Sequence, residues 1–419
     1  MQHFQDNAHL ILGGLLLMSL IVKKFGGSSV KDAEHVLNVA SIIVDEYKSG
    51  NDVIVVVSAQ GDTTDDLIEK AQEINPSTPL KREMDMLLTA GEQISIALLA
   101  MAIDKLGCPV ISLLGWQAGF STDSHHGKAR IKKINTERMK TELSKGNIII
   151  VAGFQGINKY DDLTTLGRGG SDTSAVAIAA AMNADRCQIY TDVDGVYTAD
   201  PRKVKNAVKM DEVQYDEMLE MATLGAQVLN NRSVEMAKKY NVELEVLSSL
   251  ERKPGTIIKE HVKMEKTLIR GVAKDTSVTT ISVVGLKDQP GVAFKLFNKL
   301  AQYKVNVDII LQSVGRHGTK DITFTVSHEQ MDDAINAMES MKGVFDYSDL
   351  KVNNGLSKIS IVGAGMESNP GVASKMFEAL YDADINIHMI STSETKISVL
   401  IDTDLADKAV QAVHDAFIG

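Results

Sequence analysis

The sequence predicts an α/β protein, a mainly parallel sheet sandwiched between helices, with two smaller α+β modules behind it. From Ser19 to about Ser249, short β-branched runs alternate with longer helical ones, as in parallel sheets covered on both faces. Behind Pro254 and Gly255 the texture changes and a repeat of about 80 residues sets in. A chain of 419 residues, 44% hydrophobic and 24% charged, has ordinary folded composition and the length of two or three domains.

In chain order, the apolar run Leu10 to Leu20 fails as a signal peptide, because no Lys or Arg precedes it and glycines interrupt it. It is too short to span a bilayer. Residues 1–17 therefore read as a non-native or misassigned extension before a start at Met18. Strands are expected at Leu20–Lys24, Asp52–Ser58, Val110–Leu114, Asn147–Ala152, Arg186–Thr191 and Val242–Leu247. Between Met84 and Leu106, the residues Met84, Leu87, Leu88, Ile94, Leu98 and Met101 fall at helical spacing and predict a core face. The repeat pairs Ile281–Ile310 with Ile359–Ile390, each running strand, turn, Pro-Gly, amphipathic helix, strand. Pro suits a first helical turn, whose free N–H groups favour anions, so each copy can grip a ligand carboxylate. The expected domains are 18–260, 261–345 and 346–419, with the last strand or helix able to pack into the first module.

A net charge of -11 and a pI of about 5.4, without a long basic run, argue against nucleic-acid or membrane partners. Small molecules and further copies of the chain fit better. Cys108 and Cys187 sit in apolar stretches outside any ligand-type cluster, which predicts neither disulfide nor zinc site and suits a reducing cytosol. His125-His126 lacks a second ligand cluster, Gly363-Ala364-Gly365 lacks the third glycine of a dinucleotide fingerprint, and Trp116 is expected to pack.

Five segments can carry chemistry. Lys23-Lys24-Phe25-Gly26-Gly27-Ser28-Ser29 ends the first strand; its glycines admit phosphate oxygens close to the backbone, a helix over Ser29–Lys48 offers its N–H groups, and Lys24 neutralises charge. Thr164 to Thr173, reading TTLGRGGSDT, opens an Ala-rich helix and supplies Arg168 as a fork for a carboxylate. Tyr190 to Arg202 runs from a strand end into a turn rich in Asp, Tyr and Arg, suited to a nucleotide's edge. Ser58 to Asp65 and Ala90-Gly91-Glu92 bring hydroxyls and a carboxylate able to hold an amino group. Without a GxxxxGK[ST] loop, phosphoryl transfer needs this other cradle of backbone, cations and a positioned acceptor.

Together KFGGSS, SAQGDTTD, TAGE, GFQG, TTLGRGGSDT and TDVDGVYTADPR resemble the aspartokinases of the amino-acid kinase family, and the tail repeat resembles their paired ACT domains. The resemblance runs from about Met18 to the C-terminus. It implies a feedback-regulated cytoplasmic enzyme moving the γ-phosphoryl group of ATP to L-aspartate, with Mg²⁺ carried by the nucleotide. By that resemblance Lys24 stabilises the transferring group and Asp172 organises Lys24. Gly26, Gly27 and Ser28 lie by the phosphates, and Thr191, Asp192, Tyr197 and Arg202 along the nucleotide. Arg168 grips the substrate's α-carboxylate and Glu92 its α-ammonium, with Ser58, Thr64, Phe154 and Ser171 around them. Lysine and/or threonine bind where ACT domains meet, on Asp288, Asn306, Asp308, Gln312 and Asn386, and a homo-oligomer through those domains is implied.

One departure stands out. Where many relatives have Gly-x-Lys near ATP, this chain reads Gly225-Ala226-Gln227, which keeps hydrogen bonding and loses the charge. Gln227→Lys is expected to lower KM for ATP; initial rates against ATP concentration check it, and an unchanged or higher KM contradicts it. Acetylglutamate, glutamate and UMP kinases would keep the glycine-rich turns without the paired tail modules. A catalytically dead sensor would lack Lys24 or Asp172, and a nicotinamide dehydrogenase would need a complete fingerprint.

Overall fold

A six-residue strand buried along most of its length, β1 (Leu20–Phe25), founds the first unit. In the computed structural model, which describes residues 18–76, 79–224, 228–261, 269–314, 318–343, 347–363, 366 and 369–419, β1 lies mid-sheet between parallel neighbours. Of these residues, 18–196, 209–219 and 228–261 make one unit, and 197–208, 220–224 and the stretch from 269 to 419 the other. The expectations for residues 1–17 and for Gly225-Ala226-Gln227 fall outside the described residues.

After β1 follow α1 (Ala33–Lys48), β2 (Asp52–Val57), α2 (Thr63–Ile74), α3 (Lys81–Lys105), β3 (Val110–Leu113), β4 (Phe120–Thr122), β5 (Ile131–Ile134), α4 (Glu137–Ser144), β6 (Ile148–Ala152), β7 (Gln155–Ile157) and β8 (Leu163–Thr165). Then come α5 (Gly170–Met182), β9 (Arg186–Thr191), β10 (Glu212–Gln214), α6 (Tyr215–Thr223), α7 (Asn231–Tyr240), β11 (Leu244–Ser248) and β12 (Thr256–Lys259). The eight-stranded sheet has the order β10-β12-β11-β9-β1-β2-β6-β3 and is parallel except where β12 meets β11. On one face of this sheet Phe25, Val55, Val57, Ile148 and Ile150 pack against Val39, Ile43, Ile96, Leu99 and Ile103 of α1 and α3. A second sheet, β5-β4-β7-β8, is built of strands three or four residues long.

Two expectations are corrected here. The buried face of α3 is Asp85, Thr89, Glu92, Ile96, Leu99 and Ile103, whereas Ile94 and Met101 are 51% and 67% exposed. Polar groups occupy the inner face at helical spacing, so the apolar stripe marks the outer one. The glycine turn leads not into a long helix but into a short 3₁₀ turn, Gly27–Val30. The α1 helix begins only at Ala33, where the Asp32 carboxylate caps it by accepting from His35 N–H at 3.0 Å.

The second unit holds β13 (Gly271–Lys287), α8 (Val292–Gln302), β14 (Ile310–Val314), β15 (Thr319–Ser327), α9 (Met331–Glu339), β16 (Asp349–Val362), α10 (Val372–Asp382), β17 (Met389–Thr392), β18 (Lys396–Asp402) and α11 (Ala406–Phe417). These strands make one six-stranded sheet, β14-β15-β13-β16-β18-β17. The long strands β13 and β16 each serve both modules. Gly271–Asp275 pairs with Lys358–Val362, while Thr280–Val284 pairs with Asp349–Asn353. The second module thus takes its outer strand from residues ahead of the first. Its last helix stays at home: Ala409, Val410 and Val413 of α11 bury against Ile359, Ile361 and Val399. This replaces the expectation that the C-terminal element enters the first module, whose core is Ile281, Leu296, Leu300, Phe324 and Met338.

In both repeats glycine, not proline, stands at the N-cap: Gly291 and Gly371 take φ of 91° and 97° and the helices begin at Val292 and Val372. Pro290 and Pro370 therefore precede the cap instead of opening the first turn, because only glycine enters that left-handed conformation without strain.

Candidate active site

The residues singled out by sequence gather at the carboxyl ends of β1, β2 and β6, the edge where open α/β sheets bind ligands. Strand alternation separates the two lysines of β1. Lys24 points toward α5, and its Nζ lies 2.6 Å from Asp172 Oδ1, both groups largely buried. Lys23, on the other face, donates to Gln188 Oε1 at 2.6 Å and pairs with Glu46 at 2.8 Å. Burial lowers its pKa, opposed by the Glu46 bond. Lys23 is therefore a structural group, and the cradle is left to Lys24.

The glycine turn is close-packed against the loop after β2. A Cβ on Gly27 would stand 2.7 Å from Ala59 O and 3.1 Å from Gly61 O, and Gly61 N–H donates to Gly27 O at 3.1 Å. Gly26 leaves Lys24 Nζ only 3.5 Å from where a Cβ would sit, and Ser28 is exposed beside it. Ser58 N–H donates to Phe25 O at 3.1 Å, joining the two strand ends. Thr64 lies in the first turn of α2.

Glu92 is 3% exposed on the inner face of α3. Its Oε1 accepts from Ala59 N–H at 3.2 Å, whereas Oε2 has no partner. Burial pushes its carboxyl up to about 7, against the pull of backbone hydrogen bonds. A buried, half-satisfied carboxylate is costly unless a donor arrives. Gly91 permits this approach, since a Cβ there would meet the Ala59 Cβ at 2.8 Å.

The third wall is the loop between β8 and α5. Arg168 is exposed and its carbonyl accepts from Asn230 Nδ2 at 3.1 Å. Ser171 abuts Gly153, where a Cβ would lie 2.7 Å from Ser171 Oγ. Phe154 holds φ of 67°, a strained value for its side chain. That conformation is fixed by its N–H donating to Ser174 Oγ at 3.1 Å and its carbonyl accepting from Leu166 N–H at 2.8 Å. Sequence reasoning missed Asp85, wholly buried beneath this loop; the polar stripe Asp85, Thr89, Glu92 was the available signal.

The remaining site candidates lie at the end of β9, the parallel neighbour of β1, and in the second unit. Thr191 donates to Asp192 Oδ1 at 2.9 Å at the end of β9. Tyr197 and Arg202 belong to the second unit. There Arg202 pairs with Asp200 at 3.0 Å, and the segment is seated by Thr198 Oγ1 against His414 Nε2 at 2.9 Å and by Lys203 with Asp407 at 2.9 Å. In the first tail module Asp288 pairs with Lys320 at 2.9 Å, and Asp308 with Lys358 at 2.6 Å. Asn306 N–H donates to Gln330 Oε1 at 3.1 Å, Gln312 lies on β14, and Asn386 is exposed in the second module. Trp116, expected to pack, is 46% exposed.

Comparison with known proteins agrees with this picture. The amino acid kinase family matches residues 19–248, and the ACT domain matches twice, at 281–341 and 359–417. Similar proteins include the aspartokinases of Bacillus sp. (strain MGA3), 51% identical over 401 residues covering 96% of this chain and 97% of that one. That of Mycolicibacterium smegmatis is 52% identical over 407 residues, covering 96% of each. Among solved structures, aspartokinase III of E. coli in complex with aspartate and ADP shares the fold at a TM-score of 0.83 and 24% identity, over 96% of this chain and 100% of that one. Aspartate kinase from Synechocystis has a TM-score of 0.55 at 42% identity, over 95% of this chain and 69% of that one. Fold and site thus define the class, an amino acid kinase domain carrying a pair of ACT domains. The chain belongs to the aspartokinase family.

Proposed function

We propose that the chain transfers the γ-phosphoryl group of ATP to the side-chain carboxylate of L-aspartate. The observation that carries this reading is the pairing, at one sheet edge, of the Lys24–Asp172 cation site with a buried carboxylate, Glu92, that lacks one partner. The first suits a transferring phosphoryl group, the second an ammonium. The β-carboxylate of aspartate is already ionised at neutral pH, so no general base is required. One of its oxygens attacks the γ-phosphorus, the bond to the bridging oxygen breaks, and ADP leaves with that electron pair.

In this reading Lys24 offsets charge on the transferring oxygens and Asp172 aims it. Arg168 grips the α-carboxylate, Glu92 the α-ammonium, and Ser58, Thr64, Phe154 and Ser171 surround the side chain. Gly26, Gly27 and Ser28 lie by the phosphates, and Thr191 and Asp192 contact the nucleotide, which brings Mg²⁺ with it. The catalytic domain lies within residues 18–260, without 197–208 and 220–224, and the two regulatory modules within 261–345 and 346–419, with 271–275 lent to the second. Lysine and/or threonine bind at Asp288, Asn306, Asp308, Gln312 and Asn386, and copies associate through these modules in the cytoplasm. An effector inhibits by binding one arrangement better than another.

A hydroxamate assay for aspartyl phosphate, with and without lysine, threonine and both, tests the proposal. Product from aspartate supports it; product from N-acetylglutamate and none from aspartate overturns it. Gly27→Ala tests the cradle. Its Cβ would press on backbone oxygens of Ala59 and Gly61 that cannot rotate away, so kcat/KM for ATP is expected to fall more than about tenfold while the fold is kept. Steady-state kinetics beside circular dichroism check it.

A further inference from the structure

We infer that Asp85 is a positioning residue that sets the separation between the groups holding the substrate's α-ammonium and α-carboxylate; this rests on the roles given above to Glu92 and Arg168. Asp85 is 0% exposed, yet its carboxylate is fully used. Oδ1 accepts from Thr165 Oγ1 at 2.6 Å and Gly127 N–H at 3.0 Å, and Oδ2 lies 2.8 Å from His126 Nδ1 and 3.1 Å from Gly127 N.

Three segments are therefore pinned to one anion. The first is α3 itself, where Glu92 follows Asp85 by two turns on the same buried face, about 10 Å further along the axis. The second is β8, whose Thr165 stands three residues before Arg168. The third is the loop at His126 and Gly127, which touches the Arg168 loop again: Ala129 N–H donates to Thr165 O at 2.8 Å. A Cβ on Gly167 would lie 3.2 Å from Gly127 O.

A carboxylate is needed here because three donors converge and only an anion offers enough lone pairs without presenting a hydrogen of its own. Such charge-assisted bonds are roughly twice as strong as neutral ones and hold the spacing rigidly in a dry interior. Asparagine, of the same shape, loses the charge and must present an N–H₂ to Thr165, Gly127 or His126. Both anchors act on a single carbon of the substrate, so a small change in their separation misaims the β-carboxylate.

The test measures KM for aspartate and for ATP, kcat, and melting temperature for Asp85→Asn, Thr165→Val, Thr165→Ser and Arg168→Ala. Arg168→Ala first tests the underlying reading: an unchanged KM for aspartate removes Arg168 as an anchor. Given a rise there, Asp85→Asn and Thr165→Val are expected to raise KM for aspartate about tenfold, the size of one lost hydrogen bond of this kind. KM for ATP should stay within about twofold, and Thr165→Ser should restore the wild-type value. Thr165→Val keeps the volume, so it reports even if Asp85→Asn does not fold. An unchanged KM for aspartate in Thr165→Val, or a parallel worsening of both KM values that serine does not rescue, overturns the assignment.

Discussion

Replacing Lys24 by alanine is expected to lower kcat by roughly two to three orders of magnitude and to leave KM for aspartate within a few-fold, as when one preorganised charge-stabilising donor is removed. The physical reason is geometric. Lys24 is held by Asp172 at 2.6 Å before any substrate arrives, so its charge is in place at the transition state without reorganisation. In the proposed site other residues grip the α-carbon of aspartate, so its binding should be unchanged. The substitution also strands Asp172, largely buried at the start of α5, so a lower melting temperature is expected, partly recovered in the Lys24→Ala, Asp172→Ala double variant. Initial rates at saturating ATP and aspartate check the main effect. A loss of less than about tenfold would remove Lys24 from the reaction.

Glu92→Gln should raise KM for aspartate by about a hundredfold or more, because the ammonium then meets a neutral amide in a dry site. The same residue sets a pH dependence. Its carboxyl is raised to about 7, and only the ionised form attracts an ammonium. In the wild type, kcat/KM for aspartate should therefore fall as pH drops below about 7, and the glutamine variant should lose that limb. Stability moves oppositely. A carboxyl whose folded pKa lies above its unfolded value favours the fold while protonated, so its contribution is lost as pH rises from about 4.5 through about 7. Glu92→Gln removes the buried charge and is expected to stabilise the free protein at pH 8, by an amount on the order of 1–3 kcal/mol. Thermal melts across pH, beside kinetics, test both halves; a variant that binds aspartate normally contradicts the role.

The parts of the fold that sequence made legible are those whose cause is local. Runs such as Asp52–Val57 and Ile148–Ala152 are apolar on both faces and lie at the heart of the parallel sheet. The glycine-rich segments were legible because a backbone that must come close to another atom excludes a Cβ, as at Gly27 and Gly153. What failed was non-local or inverted. The strands of the β5-β4-β7-β8 sheet are too short for alternation to register. The sharing of β13 and β16 between modules depends on pairing partners some 80 residues away. On α3, hydropathy selected the wrong face because the inner side carries Asp85, Thr89 and Glu92. That inversion is itself the signal: a polar stripe at helical spacing inside a core is worth its burial only when it binds something or holds something that does.

The most direct test of the account is a structure of the chain with L-aspartate and a non-hydrolysable ATP analogue. The expected result has the aspartate ammonium within hydrogen-bond reach of Glu92 Oε2, the oxygen now without a partner, and the β-carboxylate facing the γ-phosphate beside Lys24. Aspartate bound elsewhere, with Glu92 Oε2 still unpaired and Lys24 remote from the phosphates, would contradict it.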